Sequence, residues 1–174
     1  TDAWNVSGAL RFEDFSDAGD DLIGKLATRY EFNDDFAVRG AVSTGFRAPS
    51  LQQSGYTAFT TNLGSDGSLT QSFTANTGTA FPSALGVDTL ELETSTNYSA
   101  GFVYDVSSEL SLTVDFYRVE IKDRITLGSL LSADDVSFSP DALAALQATG
   151  AVQANYFSNS VDSTTQGVDI IASY

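Results

Sequence analysis

Five acidic side chains crowd one short stretch of the chain: Glu13, Asp14, Asp17, Asp20 and Asp21. Carboxylate oxygens at that density attract hard divalent cations. The spacing is not that of an EF-hand, and no glutamate stands where a bidentate ligand would complete the shell. The run from 13 to 21 reads as a solvated acidic loop, with calcium bridging to anionic lipid head groups as the chemical alternative. A second set, Gln52, Gln53, Tyr56 and Phe59, sets amides and aromatic rings among small polar residues. Such groups can hydrogen-bond and stack on a small-molecule or sugar ligand. The same composition also describes an ordinary surface loop. Arg47 is the lone charge between Ser43 and Leu51 and is the fifth ligand-binding candidate. Its other reading is an ion pair or carbonyl cap at a strand end, which Pro49 favours because proline fixes φ and holds the preceding residue extended.

Catalysis has little to work with. The chain has no His and no Cys. That removes the usual general base, the commonest metal ligand and every thiol. No spacing fixes two carboxylates at one cleft, and no Gly-rich phosphate loop occurs. No catalytic residue, metal ligand or cofactor is expected. With Lys+Arg 8 against Asp+Glu 23, the net charge is −15, which repels phosphate backbones and excludes nucleic acid as a partner. The hydrophobic share of 42% is too high for a disordered acidic tail. No apolar run approaches the roughly 20 residues of a spanning helix, so any crossing of a membrane must use strands. Nothing near Thr1 has the basic-then-apolar pattern of a signal peptide; a processed chain and an excised segment are the two expected origins.

The elements that must carry these side chains announce themselves by period-two alternation. Trp4, Val6, Leu10 and Phe12 share one face, opposite Asn5, Ser7 and Arg11. The pattern returns with Leu22, Leu26, Tyr30 and Phe32, with Phe36, Val38 and Val42, and with Tyr98, Ala100, Phe102 and Tyr104. Leu110, Leu112, Val114 and Phe116 follow, and Val168, Ile170, Ala172 and Tyr174 close the series. After Phe116 the phase flips to Tyr117, Val119 and Ile121. A bulge would cause that, as would a strand running out beyond a bilayer. Strands are expected near 3–13, 21–32, 36–46, 91–105, 110–125 and 164–174. Tight turns join the second to the third and the fourth to the fifth, while long loops cover 47–90 and 126–163. One short loop helix is expected after Ser139, with Pro140 at its first position, Asp141 at the positive end of its dipole and Gly150 past its end.

Soluble sheets alternate too. Runs of about ten residues, aromatics near the run ends, and short turns at one end with long loops at the other favour an all-β, antiparallel transmembrane barrel. The expectation is a single barrel domain over 1–174, represented by about six strands of a larger barrel.

Three segments carry a resemblance. They are STGFRAPSL at Ser43–Leu51; ETSTNYSAGFVYD at Glu93–Asp105 followed by LSLTVDFYRVEIKDRI at Leu110–Ile125; and Tyr156–Asn159 followed by Thr165–Asp169. Their order and spacing resemble the barrel of TonB-dependent outer-membrane receptors. The resemblance implies strands from a 22-stranded barrel, with the plug domain absent from this segment. It implies a place in the outer membrane among its lipids, and capture of a scarce small-molecule or oligosaccharide nutrient. It also implies coupling to a TonB-type energy-transducing complex through that plug. The rival reading is a cell-surface adhesive or filament β-protein.

Overall fold

The computed structural model describes residues 3–16, 19–63, 67–87, 89–134 and 138–174. By packing, the chain forms two compact units. The first holds residues 1–47, 94–122 and 162–174; the second holds 48–93 and 123–161.

The first unit is a sheet of long strands. These are β1 (Trp4–Phe15), β2 (Gly19–Glu31), β3 (Phe36–Arg47), most of β6 (Glu93–Ser107) and of β7 (Leu110–Leu127), and the end of β9 (Gln153–Ser173). Their order is β1-β2-β3-β6-β7-β9. β1 pairs with β2, β2 with β3 and β6 with β7, each antiparallel. The register puts the expected faces together. Trp4 pairs Tyr30, Gly8 pairs Leu26, Phe12 pairs Leu22 and Leu26 pairs Val42, all on one apolar face. Arg29 pairs Arg39 on the opposite, charged face. The first turn is an Asx-type turn: Phe32 N–H donates to Phe36 O at 2.9 Å, and Asp35 N–H to Asn33 Oδ1 at 3.0 Å. In the second, Ser107 Oγ accepts from Glu109 and Leu110 N–H beside a register shift at Asp105/Ser107.

That shift is the sole irregularity between β6 and β7, and the ladder runs unbroken from Thr94↔Lys122 to Asp105↔Ser111. No bulge accompanies the phase flip after Phe116. The strand keeps its pleat: Tyr117, Val119 and Ile121 share the charged face with Asp115, while Arg118, Glu120 and Lys122 continue the apolar face of Phe116.

The acidic run is the tip of the β1–β2 hairpin. Glu13 pairs Asp21 and Asp14 pairs Asp20. Glu13 is held by Arg11, and Asp21 Oδ1 accepts from Leu22 N–H at 2.7 Å. Asp17 lies outside the described residues. Among the described residues no three potential ligands gather around a point.

The second unit fills the two long connections with structure. Residues 47–90, expected as loop, contain α1 (Leu51–Gly55), β4 (Ala58–Leu63), β5 (Leu69–Ala75) and α2 (Ala80–Ala84). Within this unit the order is β9-β5-β4, with β8 (Leu131–Ser132) also on β9. β5 runs parallel to β9 through Ser72↔Gln153 to Ala75↔Tyr156. That partnership extends β9 back to Gln153, where the alternation alone places a strand only from 164. Polar residues such as Asn155 and Asn159 conceal the strand until its partner is supplied. The expected helix forms as α3 (Pro140–Ala148), with Ser139 Oγ accepting from Ala142 N–H at 3.2 Å and Gly150 at φ 78° past its end. Two five-residue helices, α1 and α2, join the one expected.

Phe73, Ala75, Phe81, Ala142, Leu146, Ala151 and Ala154 form the core of the second unit. Phe81 meets Phe138 and Tyr156 edge-on at 5.8 and 6.1 Å. Leu146 is fully buried, and Leu146→Ala should cost this unit about 2–5 kcal/mol in lost transfer and cavity energy. Hydrogen exchange across residues 140–148 measures it; unchanged protection would mean that the core closes over the gap.

Candidate functional site

The charged face of the first unit is built across strands. Arg39 on β3 reaches Asp115 on β7, with Nε donating to Oδ1 at 2.9 Å and Nη2 to Oδ2. Between them runs β6, where Gly101 pairs Asp115 in register. A Cβ on Gly101 would collide with the Asp115 carboxylate and stand 2.5 Å from Val114 O. The glycine keeps the lane open for the fork-to-fork pair. Sequence reading missed this trio, although a lone glycine inside an alternating strand is itself a sign of close approach. Gly167 does similar work, with the Tyr117 ring lying over its backbone, Cζ 2.7 Å from where a Cβ would be. Arg29 pairs Glu31 at 3.1 Å, and Arg11 pairs Glu13.

In the second unit, one asparagine clasps two other chain segments. Asn159 Oδ1 accepts from Glu91 N–H at 2.9 Å, and Nδ2 donates to Glu91 O at 3.0 Å and to Asp123 O at 2.7 Å. Asp123 stands at φ 55°, a left-handed conformation that Asp tolerates better than most residues. Two residues on, Ile125 N–H donates at 2.7 Å to Oε1 of Glu93, a carboxylate only 6% exposed. Glu93 and Asn159 belong to the segments that carry the resemblance, and here they secure backbone. An open depression of about 370 Å³ beside the clasp is lined by Gly86, Val87, Thr89, Glu91, Asp123, Ser158 and Asn159.

Four of the five ligand-binding candidates come together in this second unit. Ser50 and Gln53 form a capping box on α1: Ser50 Oγ accepts from Gln53 N–H at 3.1 Å and Gln53 Oε1 accepts from Ser50 N–H at 3.0 Å. Gln52 is exposed on α1, and its carbonyl takes the N–H of Tyr56 at 3.0 Å. Phe59 on β4 stacks on buried Phe73 at 4.7 Å while staying 52% exposed. Gln53 therefore has a structural task, whereas Gln52, Tyr56 and Phe59 present surface. Arg47 ends β3 in the first unit.

The apolar face of the first unit carries large side chains in the open, Leu10 at 79% and Ile170 at 68% exposed among them. Glycines leave shallow grooves in it: one of about 620 Å³ around Leu10, Leu26 and Val42, and one of about 310 Å³ around Trp4, Val6 and Thr28. A contiguous exposed apolar face of this extent marks a surface made for lipid or protein.

No curated protein matches the sequence. Among solved structures, the siderophore receptor PirA from Acinetobacter baumannii is 21% identical at a TM-score of 0.68, the match covering 99% of this chain and 23% of that one. PirA from Pseudomonas aeruginosa is 19% identical at 0.67, covering 97% and 28%. A variant of the ferric enterobactin receptor PfeA from Pseudomonas aeruginosa, in complex with enterobactin, is 18% identical at 0.68, covering 98% and 22%. The chain thus spans roughly a quarter of the length of these receptors, and at such identities the likeness is one of fold. The family model described as "TonB dependent receptor-like, beta-barrel" matches residues 1–174, and the chain belongs to that family.

Proposed function

We propose that this chain is part of the barrel of an outer-membrane receptor for energy-coupled uptake of a scarce nutrient, with a ferric siderophore as the first class to test. The family match over residues 1–174 carries the reading. The apolar face supports it. From Trp4 to Phe12, at strand rise and usual barrel tilt, that face is about 20 Å tall, close to the roughly 25 Å band of outer-membrane barrels. Trp4, Tyr30 and Tyr104 lie toward the tight-turn end, and Phe12 and Tyr98 toward the other, as interfacial aromatics do. The siderophore class is favoured over vitamin-like compounds and oligosaccharides by the receptors that share the fold. Energy would arrive from a TonB-type complex through a plug outside residues 1–174.

Gln52, Tyr56 and Phe59 are the proposed ligand contacts of the second unit, with Gln53 holding α1 in place, and Arg47 is a separate proposed contact on the first. In the full-length protein, replacing Tyr56 and Phe59 together with Ala should lower uptake of radiolabelled ferric siderophore about tenfold, as loss of two aromatic contacts would. Barrel content by heat-modifiable gel migration should not change. Uptake that stays at the parental rate in both this variant and a strain lacking the whole receptor would remove the siderophore reading.

A further inference from the structure

Two strands of the first unit stay together for only part of their length. β2 begins at Gly19 and β3 ends at Arg47, yet the ladder between them runs from Glu31↔Ala37 to Lys25↔Ser43 and stops there. Continued in step, it would pair Gly24 with Thr44 and Leu22 with Phe46. Each strand keeps its other neighbour. β2 stays paired with β1 out to Gly19↔Phe15. β3 stays against β6, where Ser95 Oγ donates to Gly45 O at 3.3 Å and Asn97 Nδ2 to Ser43 O at 3.5 Å.

The backbone donors left over along β2 show that this gap is built in. Glu31 N–H donates to Ala3 O, so the odd-numbered amides of β2 face β1 and the even-numbered ones face β3. Gly24 and Leu22 are the next two even residues beyond the last pair. Gly24 N–H donates to Oγ1 of Thr44 at 3.0 Å, a side chain in place of a strand. Leu22 N–H donates to Oδ1 of its own neighbour Asp21 at 2.7 Å. Both amides are thus satisfied without the ladder, which removes the penalty of an open strand edge. Across the gap, Phe15 meets Phe46 edge-on at 5.6 Å. A ring pair and a side-chain hydrogen bond tie two strands less tightly than a continued ladder would. The groove of about 620 Å³ lies where the ladder ends, with Gly24, Lys25, Ser43 and Thr44 in its lining.

We propose that the β2–β3 boundary beyond Lys25 and Ser43 is a seam that parts, changing the width of the wall at its long-loop end while the ladder from Ser43 to Ala37 stays zipped. The hinge is the last pair, Lys25↔Ser43. The tie is Phe15 on Phe46, together with the Thr44 hydroxyl on Gly24. Parting breaks no ladder bond, because the ladder ends before the seam starts. Asp21 caps Leu22 whether the seam is closed or open, since both residues lie on β2. The role in uptake rests on the reading of the chain as receptor barrel. The seam itself rests on the strand register and these hydrogen bonds.

Single-residue hydrogen exchange of the full-length receptor in detergent, read by electron-transfer fragmentation, separates a seam from a frayed hairpin. The Leu22 and Gly24 amides should exchange at least about tenfold faster than those of Asp21 and Ile23, which face β1 on the same strand. Equal rates at all four would mean that the hairpin frays as a whole, and would overturn the proposal. Residues 1–174 contain no Cys, so an introduced pair is unique within them. In a receptor freed of other thiols, Phe15→Cys with Phe46→Cys is joined by a short bismaleimide. Joining should slow ferric siderophore uptake severalfold relative to the same variant left unjoined, as locking a moving element does. Tyr30→Cys with Val38→Cys, set across the zipped ladder, should transport alike joined and unjoined. Undiminished uptake in the joined Phe15 and Phe46 variant would remove the seam from the transport cycle. The two readings fail separately: absence of uptake in the parent removes the siderophore reading, and the exchange contrast still decides the seam.

Discussion

Gly101→Leu should destabilise the barrel wall by about 2–4 kcal/mol, the range for forcing bulk into a packed lane and displacing a pair that occupied it. The Cβ alone meets the Asp115 carboxylate and the Val114 carbonyl oxygen, one a movable side chain and the other fixed backbone of the neighbouring strand. The side chain can swing away, but the backbone must move the ladder. The ion pair is the smaller part of the effect. The Arg39 side chain is 45% exposed, and pairs that open to solvent contribute at most about 1 kcal/mol. Arg39→Ala should therefore cost under about 1 kcal/mol, and the two variants together separate crowding from charge. Urea unfolding of the receptor refolded into detergent reads both. Equal losses in Gly101→Leu and Arg39→Ala would mean that the pair, and not the open lane, is what the glycine protects.

Asn159→Ala should loosen the second unit locally by about 2–3 kcal/mol. Three hydrogen bonds vanish at roughly 1 kcal/mol each, and Glu91 N–H, Glu91 O and Asp123 O lose their side-chain partner. Asp123 is held in a left-handed conformation that costs energy in its own right, so releasing its carbonyl removes one restraint on a strained residue. Asn159→Asp tests the geometry. It keeps an acceptor for Glu91 N–H and loses the donor to both carbonyls, so it should fall near the alanine variant and well below the parent. Amide exchange at Glu91 and Ile125 is the readout. Faster exchange at Glu91 with Ile125 unchanged would leave the Glu93 cap independent of the clasp. Unchanged exchange at both would mean that water replaces the asparagine without loss.

Gly101 and Asn159 lie inside the segments that carry the family resemblance, and they show what such segments are for. Gly167 makes room for Tyr117, Asn159 ties Glu91 to Asp123, and Glu93 caps Ile125. The asparagine and the glutamate secure backbone, and the glycine makes room for a ring. The residues that present surface, Gln52, Tyr56 and Phe59, lie outside those segments, where side chains can vary without disturbing the wall.

The wall was legible in the sequence because period-two alternation is a local property. Whether Leu10 or Arg11 lies on the apolar face follows from the pleat alone, and the register then repeats that decision across β1, β2 and β3. The helix after Ser139 was legible for the same reason, since cap, proline and terminal glycine act within one turn of each other. Tertiary structure alone decided the rest. β9 extends back to Gln153 because β5, some 80 residues away in the chain, offers a parallel partner, and no local pattern among Gln153, Asn155 and Asn159 encodes that pairing. The run through Tyr117, Val119 and Ile121 looked like a change of face, but the unbroken ladder to β6 shows that the strand keeps its pleat while the chemistry of its two sides changes along its length. Gly101 was an unremarked gap in the alternation until Arg39 and Asp115, 76 residues apart, met across it. Alternation depends on neighbours two residues away, whereas a lane, a clasp or a parallel partner depends on side chains that only the folded chain brings within hydrogen-bonding distance.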